Sequence, residues 1–111
     1  AACHMPDVLE MPYLPPLLGA ADETTENEVT VRLGGPTCLS GDIIGDYKFN
    51  KLPEYGDLLL FGDMAIYTTC KNNTFNGMPL PDIWIRHTDR TMQQLTLFNY
   101  TDFKERLGSR E

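Results

Sequence analysis

In EVTVRLGGPTCLSGD, Glu28 to Asp42, an alternating stretch runs into a turn that carries a cysteine. Val29, Val31 and Leu33 point one way and Thr30 and Arg32 the other, the period of a half-buried strand. Gly34-Gly35-Pro36 ends it, because glycine frees the backbone and proline removes a donor. Cys38 then sits among Pro36, Thr37, Ser40, Gly41 and Asp42, residues that build loops. A structural cysteine ordinarily lies inside an apolar pattern, whereas this thiol is set out at a strand end. The small and acidic run that follows, to Tyr47, is read as part of the same loop, so that Asp42 and Asp46 share it.

Further strand signals lie downstream. DLLLFGDM (Asp57 to Met64) is a short apolar run after the turn Pro53-Glu54-Tyr55-Gly56. MAIYTTCK (Met64 to Lys71) is rich in β-branched and aromatic residues and puts Tyr67 in mid-strand. DIWIRHT and QQLTLFN supply two more, and Asn72-Asn73 and Asn76-Gly77 are turn chemistry around Thr74-Phe75. Pro6, Pro12, Pro15 and Pro16 argue against a helix in residues 1–21 and for an extended, packed entry segment. ADETTENE (Ala21 to Glu28) reads as a solvated acidic turn. The tail alone looks helical, with Asp102 capping Phe103 to Leu107, Glu105 completing a capping box and Gly108 as the stop. The expectation is one mainly β domain over residues 1–111, an antiparallel barrel or sandwich at 22–100 with a terminal helix at 101–108.

The 111 residues are 41% hydrophobic, which suits a folded domain, and the formal net charge of −7 argues against a nucleic-acid partner. That charge suits a cationic ligand, or solubility alone. Three cysteines at wide spacing form neither a disulfide framework nor a zinc pattern, so reduced thiols in the cytoplasm are expected. Cys3 and Cys70 are read as packing residues, and Cys3-His4 offers too few ligands for a metal. No apolar run is long enough to span a bilayer, so no membrane partner is expected. The first residues already resemble a protein interior, and the chain is read as a piece of something longer.

Candidate chemistry gathers at a few positions. A thiol ordinarily titrates near pH 8.5 and can give or take a proton near neutrality, which singles out Cys38; an inert loop cysteine is the alternative. Asp42 could hold an ammonium group or simply form a turn. Tyr67 reads as a core or edge tyrosine, and Phe75 as a loop anchor or a pocket wall. Glu10, between Leu9 and Met11, is a carboxylate in apolar company that calls for a cation.

Together GGPTCLSGD (Gly34 to Asp42), GDLLLFGDMAIYT (Gly56 to Thr68) and TFNGMPLPDIW (Thr74 to Trp84) resemble the C-terminal β-domain of the pyridoxal-phosphate decarboxylases of basic amino acids. Within that family, HMPDVLEMPY (His4 to Tyr13) and TCLSGDIIGDY are most similar to the branch acting on carboxynorspermidine or carboxyspermidine. The ornithine branch has an acidic residue after the cysteine, where this chain has Leu39. The resemblance implies a homodimer in which a (β/α)₈ barrel, absent from this chain, meets the partner's β-domain at the active site. It implies that Cys38 returns a proton to the substrate carbon after CO₂ leaves and that Tyr67 approaches pyridoxal 5′-phosphate. Asp42 then shapes the site for a cationic chain, Glu10 meets the far amine and Phe75 forms a pocket wall. With the cofactor-bearing lysine and phosphate loop on the barrel, these residues alone are expected to catalyse nothing. An ornithine or diaminopimelate decarboxylase, a non-catalytic regulatory homologue and a free-standing cation-binding domain are the rival readings.

Overall fold

The computed structural model describes residues 1–11, 13–19, 28–65 and 67–108. Pro12, Ile66 and the acidic turn expected at Ala21 to Glu28, apart from Glu28, lie outside the described residues. The architecture is mainly β, as expected, built from two antiparallel hairpins, and among the described residues the sheets do not close into a barrel. Strand β1 (Val29–Gly34) pairs with β2 (Ile43–Phe49), and β3 (Ile83–Arg86) pairs with β4 (Met92–Thr96).

In β1 the alternation is realised at Val31 and Leu33, half-buried, against exposed Thr30 and Arg32, while Val29 is exposed at the sheet end. Strand β2 corrects the reading of a long loop. Tyr47 and Phe49 are buried and Asp46 and Lys48 exposed, a two-residue period that Gly45 obscures in the sequence. Asp46 therefore does not share a loop with Asp42. It stands across the ladder from Arg32 and accepts two guanidinium bonds, at 2.8 and 3.1 Å, which hold its carboxyl below the usual range.

A Cβ on Gly45 would strike the Leu14 side chain, so glycine there lets the proline-rich segment lie against β2. The Tyr47 hydroxyl donates to the buried carbonyl of Pro15 at 2.6 Å, and its ring meets Phe61 edge-on at 5.9 Å. Residues 16–18 run beside 60–62 through Leu18 N to Leu60 O at 2.9 Å and Gly62 N to Pro16 O at 2.7 Å. The strand expected at Asp57 to Met64 is reduced to this one bridge, Leu17 to Phe61. Pro15 and Pro16 have no N–H with which to extend a ladder.

Two short helices replace expected extended chain. Helix α1 (Asp7–Glu10) follows Pro6, whose fixed φ of −65° suits a helix entrance. Helix α2 (Tyr67–Lys71) overturns the strand at Met64 to Lys71 and moves Tyr67 from mid-strand to a helix start. One local and two tertiary bonds outweigh β propensity here. Thr69 Oγ1 donates back to Ala65 O at 2.7 Å, Thr68 Oγ1 to Asp7 Oδ1 at 3.2 Å, and Lys71 Nζ to Glu10 Oε2 at 2.7 Å. The terminal helix α3 (Tyr100–Arg106) exists, but its cap is Asn99, which accepts from Thr101 N. Asp102 is the carboxylate that reaches back to Asn99 N at 2.8 Å, and Gly108 at φ +91° closes the helix.

Few large apolar side chains are buried among the described residues, and Leu18, Leu58 and Leu60 beside the 17–61 bridge are exposed. Replacing Tyr47 with Phe leaves the Pro15 carbonyl without its donor in a dry setting. The expected cost is about 1–3 kcal/mol, read as a lowered urea midpoint with an unchanged slope.

Candidate functional site

The cysteine turn is built around one carboxylate. Asp42 is 4% exposed, and its two oxygens take the nitrogens of Ala1 at 2.8 Å and Ala2 at 2.9 Å, Thr37 Oγ1 at 2.6 Å and Thr37 N at 3.3 Å. Burial alone would favour the neutral acid, but these donors outweigh it and hold the carboxyl well below the usual range. Gly35 N donates to Asp42 O at 2.8 Å, and a Cβ on Gly35 would fall on the carboxylate itself. Thr37 Oγ1 also receives Leu39 N at 3.4 Å. Cys38 thus rides on a turn closed from within. Its thiol is exposed and makes no hydrogen bond among the described residues.

A second turn, at 72–77, is fastened to the entry segment by asparagines. Asn72 Nδ2 donates to His4 O at 2.8 Å, Asn73 Nδ2 to Ala2 O at 2.7 Å, and Asn73 N to Cys3 O at 3.1 Å. Asn73 Oδ1 accepts from Phe75 N at 3.1 Å, and Cys3 Sγ donates to Phe75 O at 3.3 Å. Burial pushes the Cys3 thiol up, which suits the packing role expected of it. Cys70 was expected to pack as well, but it lies exposed on α2 with Sγ against Tyr67 O at 3.2 Å. His4 Nε2 meets Pro79 O at 2.7 Å. The two turns join where Cys38 N donates to Asn76 Oδ1 at 2.8 Å.

Between the turns, the entry segment and α3 opens a groove of about 580 Å³, walled by Leu9, Glu10, Leu39, Phe75 and Arg106 among others. Two of the expected site residues, Glu10 and Phe75, meet in it. Cys38 is not on its wall, but it is next in sequence to Leu39, which is, and its N–H bonds Asn76, next to Phe75. Asp42 is not on the wall, because its carboxylate is used up beneath the cysteine turn. Tyr67 is not on the wall either. It is 67% exposed at the start of α2, and its hydroxyl makes no hydrogen bond among the described residues. Glu10 is linked to that helix by Lys71, whose ammonium the pairing holds above its ordinary range. Asn73, Asn76, Lys71 and Arg106 were not singled out from sequence. The Asn76-Gly77 signal was read as a turn alone, and the Glu10–Lys71 pair spans a separation no local pattern reveals.

Residues 2–65 match the family described as pyridoxal-dependent decarboxylase, C-terminal sheet domain. The chain is 45% identical over 105 residues to carboxyaminopropylagmatine decarboxylase of Synechocystis, covering 95% of this chain and 27% of that protein. It is 37% identical to carboxynorspermidine/carboxyspermidine decarboxylase of Campylobacter jejuni, covering 93% of this chain and 30% of that one. The solved structure of carboxynorspermidine decarboxylase from Campylobacter jejuni, complexed with norspermidine, superposes with a TM-score of 0.86 at 37% identity, over 94% of this chain and 31% of that one. The chain thus spans under a third of the relatives it matches.

The depressed Asp42 carboxyl makes a pH prediction. Its folded value lies below its unfolded one, so its stabilisation is complete above about pH 4 and drains away as the pH falls further. Asp42→Asn is expected to cost about 1.5–3 kcal/mol at neutral pH and progressively less in acid, measured by denaturant unfolding across pH.

Proposed function

Because this chain belongs to the pyridoxal-dependent decarboxylases, as their C-terminal sheet domain, we propose that it completes the active site of an enzyme that decarboxylates a carboxylated polyamine. The observation that carries this reading is an exposed cysteine next in sequence to Leu39 on the wall of a groove that also holds a carboxylate and an aromatic ring, its N–H tied to Asn76 beside Phe75. Cys38 Sγ–H gives its proton to the substrate carbon that has lost CO₂. Glu10 receives the far ammonium of the polyamine, where a charge-assisted hydrogen bond contributes about 1.5–3 kcal/mol. Phe75 lies along the methylene chain. Asp42 holds the turn from below and so shapes the site without touching the substrate.

Pyridoxal phosphate, when bound, supplies the electron sink that decarboxylation needs. Its lysine and phosphate loop belong to the barrel of the whole protein, and no lysine lines this groove among the described residues. What this chain offers is the Tyr67 hydroxyl, an exposed donor without an intrachain partner among the described residues, which suits a phosphate oxygen. Exposed Leu18, Leu58 and Leu60 support a covering partner, and we assign that role to the barrel of a homodimer in the cytoplasm. Leu39 favours the polyamine branch over ornithine or diaminopimelate, since an apolar residue stands on the wall where an acid would bind a short diamine.

A second reading follows from the 45% identity to carboxyaminopropylagmatine decarboxylase, whose name implies a guanidinium at the far end. A carboxylate such as Glu10 suits a guanidinium as well as an ammonium. Competitive turnover by the full-length protein of carboxynorspermidine, carboxyspermidine, carboxyaminopropylagmatine, ornithine and diaminopimelate ranks these substrates. A carboxylated polyamine is expected to win, and preference for ornithine would overturn the reading. Cys38→Ala is expected to lower product formation by roughly 10²-fold or more, the usual contribution of a positioned acid. Turnover at the wild-type rate would remove the proton-donor role.

A further inference from the structure

We propose that Asn76 is a positioning residue for Cys38, setting the direction of the thiol beside the groove through the hydrogen bond from Cys38 N to Asn76 Oδ1. The inference rests on the reading of Cys38 as proton donor and adds to it the device that sets the thiol's direction. Asn76 holds φ 60° and ψ 18°, a left-handed conformation that L residues rarely adopt. Gly77 follows at φ +73°. Glycine would satisfy this backbone at 76 with less strain, so the conformation alone does not call for asparagine. What asparagine adds is an acceptor, and its Oδ1 lies 2.8 Å from the amide of Cys38, a residue far away in sequence. The amide orientation is unambiguous, since a backbone N–H can only donate.

The neighbouring amides of the cysteine turn are occupied locally. Thr37 N goes to Asp42 and Leu39 N to Thr37 Oγ1. Only the amide between them reaches across to the other turn. That bond fixes the peptide plane from which the Cys38 Cα–Cβ direction follows, and the thiol has no hydrogen bond of its own among the described residues to do so. Phe75 is held separately, by Asn73 Oδ1 on its N–H and by Cys3 Sγ on its carbonyl. Glu10 is held by Lys71. Losing the Asn76 oxygen therefore releases the proton donor and leaves the substrate-binding wall in place.

The test uses the full-length holoenzyme and two substitutions. Asn76→Gly keeps the left-handed backbone and removes the acceptor, while Asn76→Asp keeps an acceptor oxygen. Asn76→Gly is expected to lower kcat by about tenfold or more, as small misplacements of a reacting group do, with KM changed less than about twofold. Amide hydrogen exchange at Cys38 is expected to accelerate in the same variant. Asn76→Asp is expected to restore kcat to within about threefold and the exchange rate to that of the wild type. Wild-type kcat in Asn76→Gly, or equal losses in both variants, would overturn the proposal. Cys38→Ala separates the two readings. If it abolishes turnover while Asn76→Gly does not, the positioning role alone fails; if it leaves turnover intact, the donor reading fails and takes this inference with it.

Discussion

A single buried carboxylate organises the turn that carries Cys38 and the entry segment beneath it. Asp42 draws the nitrogens of Ala1 and Ala2 and both polar groups of Thr37 to one point, and so pins the entry segment beneath the cysteine turn. A charge removed from water is tolerable only when donors replace the water, and here they do. The consequence reaches upward to the exposed cysteine and outward to the groove, because the same entry segment carries Glu10 and fastens the Phe75 turn. Gly35 is part of this arrangement, since any side chain there would occupy the carboxylate's place.

The groove's polarity follows from pairs that are already partly satisfied. Glu10 lines it while sharing its charge with Lys71, an exposed pair in which water screens the attraction. In the proposed function, an incoming amine meets a carboxylate that is already paired and shares or displaces the exposed Lys71 ammonium. Arg106, on α3, faces the same space with no ion-pair partner among the described residues. A groove bearing both signs suits a ligand whose cationic end must lie one way round. Tyr67 stands apart from it, on a helix exposed to whatever covers this surface.

Local pattern revealed a good deal. The alternation of Thr30 to Leu33 with its glycine–proline end, the two strands near the C-terminus, the helix in the tail and the unusual setting of Cys38 were all legible. Each depends on neighbours within a few residues. The misreadings share the opposite trait. Strand β2 was hidden because Gly45 and Asp46 look like loop residues, whereas Gly45 lies directly under the Leu14 side chain and Asp46 answers Arg32 across the ladder. The β-branched run around Tyr67 became α2 because Asp7 and Glu10, sixty-one residues from their partners, bond to Thr68 and Lys71.

Residue order was sufficient to establish a small, acidic, mainly β chain with a thiol displayed at a strand end, and the quoted motifs were sufficient to suggest its family. Those properties are short-range, since side-chain period, turn chemistry and charge add up along the chain without reference to the fold. Which carboxylate is spent inside and which is left on a groove wall required three dimensions. Asp42 follows Ser40-Gly41 and Glu10 stands between Leu9 and Met11, and those neighbours mark Glu10 rather than Asp42 as the acid in need of donors. The distinction lies in the donors that packing brings to each, four for the first and one exposed ammonium for the second.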